Sequence, residues 1–419
     1  MFRFTFQKAL SLFAAVVLAS VLLSSLARAN QEQAKQADKF IDSMCVNTHP
    51  WYEWERIKPK LQELGIRHLR GGEEDVALLK QLYKNYGIKY TMIVEPKNFD
   101  SNKLLSYVKS VGTEKFDGIS GPNEPSLFIK KGDWQKIARS IQEDLWKNIK
   151  GDPKTKNIPV LTPSPVFPQD ALQLGDVSAW ADYADIHLYY GGKHPETLGD
   201  PWTTLYWKFR GLAGAVAPGK PVIMTETGYH NTRQTDGHVG TPDLEVVAKY
   251  IPRLYLTHWK RGIVRSCIYE LYDEGTDPHE QEDNFGLLHH DYSNKPSFDA
   301  VKNTIALLKD PGADFEPGSL DFSLSGNTKN VETLLLQKRN GNFFLSIWLG
   351  VSSFEPRSQS ALNLRPQVVA ISLPNEIESV VLHRLSAKGQ ISSEKVAVSH
   401  GRLQMQVSDT VTFVEIGLN

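Results

Sequence analysis

The segment Gly118-Ile119-Ser120-Gly121-Pro122-Asn123-Glu124-Pro125 runs a short apolar stretch straight into a turn that carries a carboxylate. Pro221-Val222-Ile223-Met224-Thr225-Glu226-Thr227-Gly228 repeats the arrangement further along the chain. Short apolar runs bounded by turn residues read as buried strands of a parallel sheet. Working outward gives eight such runs, at residues 40–47, 66–70, 89–94, 118–121, 159–162, 184–189, 221–226 and 264–271. Longer amphipathic stretches lie between most of them. Residues 52–64 stop at Gly65, 75–86 at Gly87 and 134–149 at Gly151, each glycine standing where a helix is expected to end. Thr241-Pro242 opens the run 243–261 with a hydroxyl cap and a proline at the first helical position. Strands alternating with helices predict an α/β protein, a (β/α)8 TIM barrel over residues 40–312. An open doubly wound sheet is the alternative, but its usual glycine-rich phosphate turn is missing after the first strand.

The pattern changes after Pro311-Gly312. Residues 313–419 alternate short strand-like runs with turns, and Asn340-Gly341 between two of them is a hairpin signal. This part predicts a small all-β sandwich. At the other end, Arg3 and Lys8 flank the start of an apolar stretch over residues 9–26, and Ala27-Arg28-Ala29 offers a small-x-small cleavage site. Residues 1–29 therefore read as a signal peptide cut after Ala29, and residues 30–39 as a mobile or helical lead-in. The expected protein is secreted or periplasmic, with no stable membrane span after cleavage; an uncleaved anchor is the rival reading. The formal net charge of -1 and the lack of a basic stripe argue against nucleic acid as a partner. Cys45 and Cys267 fall on the first and last predicted strands, which are neighbours in a closed barrel. A disulfide and two buried free thiols both stay open.

Catalytic groups of a TIM barrel come from the C-terminal ends of its strands. Those ends read Asn47 and His49, Arg70, Glu95, Asn123 and Glu124, His187 and Tyr189, Glu226, and Glu270 with Tyr272. So polar a set capping apolar strands costs stability unless its members pair or serve a function. Two carboxylates at the ends of two strands can flank one bond, the minimum needed to cut a glycosidic linkage.

At these residues the chain resembles clan A of the retaining glycoside hydrolases, the superfamily of cellulases, mannanases and xylosidases. The resemblance covers residues 40–308. The clan's Asn-Glu after strand four matches Asn123-Glu124, and its glutamate ending strand seven matches Glu226. Its arginine after strand two matches Arg70, and its histidine–tyrosine pair after strand six matches His187 and Tyr189. Asn284-Phe285-Gly286-Leu287-Leu288 and Lys295-Pro296-Ser297-Phe298 resemble the clan's run into its last barrel helix. The resemblance implies a retaining enzyme cleaving a β-glycosidic bond of a polysaccharide or oligosaccharide, with Glu124 as acid/base and Glu226 as nucleophile. Glu226 would be kept ionised by Arg70 and Tyr189, and Asn123 would meet a sugar 2-hydroxyl. Pro125 is expected to hold Glu124 in an extended backbone.

His49, Trp51 and Tyr272 are expected to line the sugar site. Tyr52, Trp54, Trp202, Tyr206 and Trp207 are further aromatic candidates, with helix packing the better account of Trp54 and Trp207. The chain departs from the clan after strand eight, where Ile268-Tyr269-Glu270-Leu271-Tyr272-Asp273 lacks the usual tryptophan, so Tyr272 or Tyr269 would take its place. It departs again after strand three, where Glu95-Pro96 stands instead of histidine. The chemistry needs no metal and no organic cofactor. The acidic loop 273–283 reads as a solvated loop rather than a calcium site. A non-catalytic carbohydrate-binding or scaffold protein and a transglycosylase using the same two glutamates are the alternatives.

Overall fold

The computed structural model describes residues 30–197, 208–234 and 238–418. The predicted signal peptide and the aromatics Trp202, Tyr206 and Trp207 lie outside the described residues. The chain opens with β1 (Asn30–Gln33) and β2 (Lys35–Gln36). Then come β3 (Met44–Asn47), β4 (His68–Gly71), β5 (Lys89–Val94), β6 (Phe116–Pro122), β7 (Ala184–Tyr189), β8 (Val222–Gly228) and β9 (Ile263–Ile268). These last strands form one seven-stranded sheet in the order β6-β5-β4-β3-β9-β8-β7, parallel throughout. First and last strands of the series, β3 and β9, therefore lie side by side, as they do when a sheet curls round.

The fifth predicted run, 159–162, makes isolated parallel bridges rather than a strand. Val160 bridges Ile119 of β6, Leu161 bridges Tyr183 just before β7, and Ser164 bridges Asn123. Pro159 and Pro163 have no N–H to offer a ladder, which keeps the segment from pairing continuously.

The run 40–47 also divides. Phe40 and Ile41 are buried on a helix, Ala37–Asp42, and the strand begins only at Met44. A short apolar run does not by its pattern tell a helical turn from a strand. The lead-in 30–36 is neither mobile nor helical: β1 pairs antiparallel with β10 and β2 pairs parallel with β11, both far along the chain.

Asp75 and Asp100 cap the helices Val76–Tyr86 and Ser101–Val111 by accepting from backbone N–H groups of the first turn. Asp243, not Thr241, caps Leu244–Lys260, accepting from Glu245 and Val246. Gly65 and Gly87 end their helices at φ 76° and 69°, a left-handed conformation that glycine reaches without steric cost.

The C-terminal part holds β10 (Ser319–Gly326), β11 (Val331–Gln337), β12 (Phe343–Leu349), β13 (Phe354–Glu355), β14 (Ser360–Ala361), β15 (Gln367–Ser372), β16 (Ile377–Leu385), β17 (Ile391–Val396), β18 (Arg402–Val407) and β19 (Thr412–Leu418). They build two main sheets, β17-β16-β19-β12-β11-β2 and β1-β10-β15-β18. Leu335, Leu345, Ile347, Val369 and Val414 fill the layer between them. Leu334, Leu336, Phe344, Trp348 and Phe413 pack instead with the core of the parallel sheet and its helices. The larger sheet is thus apolar on both faces and welded to its neighbour by one of them.

A buried ion pair reinforces that seam. Arg253, on the helix Leu244–Lys260, donates Nε at 3.0 Å and Nη2 at 2.6 Å to the carboxylate of Glu196. Trp348 Nε1 donates to the same carboxylate at 2.6 Å. Cys45 and Cys267, register partners on β3 and β9, are joined in a disulfide with Cα atoms 4.1 Å apart.

Candidate active site

The C-terminal ends of the parallel strands open on one cavity of about 1140 Å³, lined among others by His49, Trp51, Arg70, Asn123, Glu124, His187, Tyr189, Glu226 and Tyr269. Each reaches it for a local reason. Asn47 and Arg70 end β3 and β4 and are register partners. His187 and Tyr189 are two apart on β7, so they share a face. Glu226 lies near the end of β8, with His187 as its register partner.

Arg70 is the hub. Its Nη1 donates to Glu226 Oε1 at 2.6 Å and to Asn47 Oδ1 at 2.9 Å, and its Nη2 donates to Asn123 Oδ1 at 2.6 Å. Tyr189 donates its hydroxyl to the other Glu226 oxygen at 2.9 Å. Burial alone would raise the Glu226 carboxyl. The His187 and Arg70 charges and the bonds from Arg70 and Tyr189 outweigh it and hold the group below its ordinary value.

His187 Nδ1 lies 2.7 Å from Glu124 Oε1 and 3.5 Å from Glu226 Oε2. Its Nε2 lies 3.0 Å from Thr225 Oγ1, and Thr225 in turn donates to Asp185. Burial pushes the imidazole down, but the Glu226 charge and the hydrogen bond to Glu124 carry it above its ordinary value. One carboxylate oxygen of Glu124, one of Glu226 and the His187 nitrogen lie within 4.8 Å of one another.

Glu124 is not extended. It sits at φ 39°, ψ 56°, in the left-handed region, and caps the four-residue helix Pro125–Phe128. Its N–H meets Ser164 Oγ at 3.3 Å and its carbonyl accepts from Leu127 and Phe128. These contacts on both flanks overrule the preference that Pro125 imposes. A side-chain-bearing residue held there costs on the order of 1–3 kcal/mol, and such strain gathers at functional sites.

His49 stacks on Trp51 with ring centroids 4.3 Å apart, and Trp51 is 65% exposed. His49 Nε2 lies 3.0 Å from Glu270 Oε2, at an angle too poor for a hydrogen bond. Tyr272 is placed elsewhere. It is buried against Tyr52 and Tyr292, donates its hydroxyl to the His290 carbonyl at 2.9 Å, and does not line the cavity. Beyond Ile268 the chain leaves the sheet, and Tyr272 pairs with Leu288 instead of continuing the strand. Tyr269 takes the cavity wall, donating to Glu282 at 2.8 Å. Tyr52 is buried with its hydroxyl on Glu270, and Trp54 packs on the core.

Sequence reading missed Asp185 and Thr225, the buried pair behind His187. Asp185 was detectable in principle, since it stands two residues before His187 on the same strand and so on the same face. Glu73, Glu282 and Phe128 also line the cavity; Glu73 comes from a loop and the other two from helical turns of three and four residues, too short for any periodicity to point to them.

Among the described residues two clusters, Glu124–His187–Glu226 and His49–Glu270–Glu274, gather ligand-type atoms closely enough to hold a metal ion. In the first, the Arg70 guanidinium already sits on Glu226 and opposes a second cation. In the second, Glu270 is buried, which pushes its carboxyl far up and favours the proton over a metal.

No protein-family model and no curated protein matches the chain. Solved structures do. A family 39 glycoside hydrolase from Bacteroides cellulosilyticus WH2 aligns over 91% of this chain and 82% of its own, with TM-score 0.63 and 18% identity. A glucosidase from Croceicoccus marinus covers 93% and 97% at TM-score 0.60 and 11% identity. A family 30 endoxylanase from Clostridium papyrosolvens C71 covers 93% and 98% at TM-score 0.55 and 14% identity. The structural neighbours are thus clan A glycoside hydrolases, the group the strand-end motifs resemble, and at these identities what is shared is the fold.

Proposed function

We propose that the protein is a retaining glycoside hydrolase, cleaving a β-glycosidic bond of a polysaccharide or oligosaccharide by double displacement. The observation that carries the reading is the approach of Glu124 and Glu226 to within 4.8 Å in a cavity of sugar size, with only Glu226 paired to a cation as strong as arginine. Carboxyl groups about 5–5.5 Å apart suit attack by one of them rather than by an intervening water.

Glu226 attacks the anomeric carbon and forms an ester while the glycosidic bond breaks. Glu124 gives its proton to the departing oxygen. Glu124 then takes a proton from water, water attacks the anomeric carbon, and Glu226 leaves as carboxylate. Arg70 occupies the Asn123 oxygen, so the Asn123 NH2 group is the part left for a sugar 2-hydroxyl. Residues 159–164 read as the eighth stave of the barrel, between β6 and β7. The character of residues 1–29 supports export, to the periplasm or beyond, with cleavage after Ala29.

Glu226→Gln and Glu124→Gln test the assignment on a panel of glycans. Each is expected to abolish release of reducing ends while leaving the circular dichroism unchanged. Wild-type rates in either variant reject it.

A further inference from the structure

The cavity wall carries exposed aromatic rings at two places away from the carboxylate pair. Beside Glu124, the helix Pro125–Phe128 brings Leu127 and Phe128 to its wall, and Phe128 is 52% exposed. On the other side, after β3, the exposed Trp51 ring lies on His49. In the sheet order, β6 with Glu124 and β3 with Trp51 are separated by β5 and β4. The proton donor marks where the leaving group departs, so Phe128 lies on the leaving-group side and Trp51 on the far side. Large apolar faces left wet at two separate places on the wall of one cavity mark ligand-binding surface. A flat apolar ring with room around it suits the face of a sugar.

The charge of the lining is one-sided. Glu73, Glu95, Glu124, Glu226 and Glu282 face the cavity, and among the described lining residues Arg70 is the single Lys or Arg. Both Nη groups of Arg70 are already engaged by Glu226, Asn47 and Asn123. Burial holds His49 below its ordinary pKa and takes His238 down to about 3, so neither adds a positive charge at neutral pH. His187 is occupied by Glu124 and Thr225. A uronate or sulfate group on a bound sugar would meet carboxylates and find no free cation among these residues.

We propose that the enzyme is endo-acting on a non-anionic glycan chain, with Phe128 under the leaving-group sugars and Trp51 under the sugars retained on Glu226. This rests on the glycosidase reading above. It goes beyond that reading in stating where along the chain the cut falls and which chains are refused.

The mature protein is incubated with soluble neutral polymers (β-glucan, β-mannan, β-xylan, β-galactan) and with polyuronates and sulfated galactans. Viscosity, reducing ends and product masses are followed together. The expected result is a neutral polymer whose viscosity collapses while few ends have formed, giving first products of mixed length. Anionic polymers should turn over at least about a hundredfold more slowly, the cost of burying like charges together. Phe128→Ser and Trp51→Ser should each lower kcat/KM on the polymer about tenfold more than on a short aryl glycoside. Monosaccharide as the dominant first product, turnover of aryl glycosides alone, equal loss on long and short substrates, or faster cleavage of a polyuronate each overturns the proposal while leaving the glycosidase assignment standing. If Glu226→Gln keeps the wild-type rate, or no glycan at all is cut, the catalytic reading falls and this one with it.

Discussion

Arg70 and Glu226 form an ion pair at 2.6 Å in which the guanidinium side chain is 1% exposed and the carboxylate 11%. An arginine so deeply buried is stable only while its acceptors are in place, and it has three of them, on β3, β8 and the turn after β6. The pair therefore joins the architecture to the proposed chemistry: the group that holds the Glu226 carboxyl below its ordinary value also ties three strand ends together.

Arg70→Met should accordingly damage folding as well as turnover. Removing one partner of a buried pair leaves an uncompensated charge and costs about 3–5 kcal/mol. Arg70→Lys should not rescue, because an ammonium cannot serve Glu226, Asn47 and Asn123 with the fixed fork of a guanidinium. Urea denaturation of both variants beside wild type checks this; a wild-type midpoint for Arg70→Met contradicts it.

Tyr189→Phe removes the hydroxyl on Glu226 Oε2 and nothing else from the site. A hydrogen bond to a charged group is worth about 1.5–3 kcal/mol, so kcat/KM should fall by about tenfold or more. The pH profile should also move. Glu226 is held below the usual carboxylate value partly by this bond, so the acid limb of wild-type kcat/KM lies low and should shift upward in the variant. An unchanged acid limb would show that the bond does not bear on the ionisation of Glu226.

Glu74 gives a stability prediction away from the chemistry. Burial lifts its carboxyl to about 8, against an ordinary 4.5. Between those values the folded protein holds a proton that the unfolded chain releases, so this contribution is present at low pH and is lost as pH rises through about 8. Glu74→Gln should flatten the fall in melting temperature between pH 5 and pH 9 and should melt above wild type at the upper end. Parallel curves for the two proteins would contradict it.

The seam between the two parts is testable through Trp348, whose indole N–H donates to the buried Glu196 carboxylate. Trp348→Phe keeps the apolar bulk and drops the donor, at a cost of about 1–3 kcal/mol. A single cooperative transition at lower temperature is expected. Two separate transitions in the wild-type protein would contradict a C-terminal sheet that braces the rest.

Much of this arrangement was legible in the chain, for physical reasons that also mark where reading failed. Strand ends next to glycine, proline and asparagine punctuation located Arg70, Asn123, Glu124, His187, Tyr189 and Glu226, and the structure gathers them round one cavity. Tyr272 was misplaced because the chain stops being periodic at Ile268, and a side chain's direction beyond that point is set by loop pairing with Leu288. Phe40 reads as strand in the sequence but lies on a helix, because a few consecutive apolar residues serve either element equally well. The strands β1 and β2 were invisible because their sequence is polar and their partners lie some 290–300 residues away. The backbone of Glu124 escaped notice for a related reason: Ser164, which meets its N–H, arrives from a separate segment of the chain.

The most direct test of the account is covalent trapping. Incubation with a 2-deoxy-2-fluoro β-glycoside bearing a good leaving group should add the mass of one fluoroglycosyl unit to the intact protein, and peptide mapping should place it on Glu226. A label on Glu124 or another residue, or steady turnover of that reagent to an inverted product with no adduct, would contradict the assignment of nucleophile and acid/base.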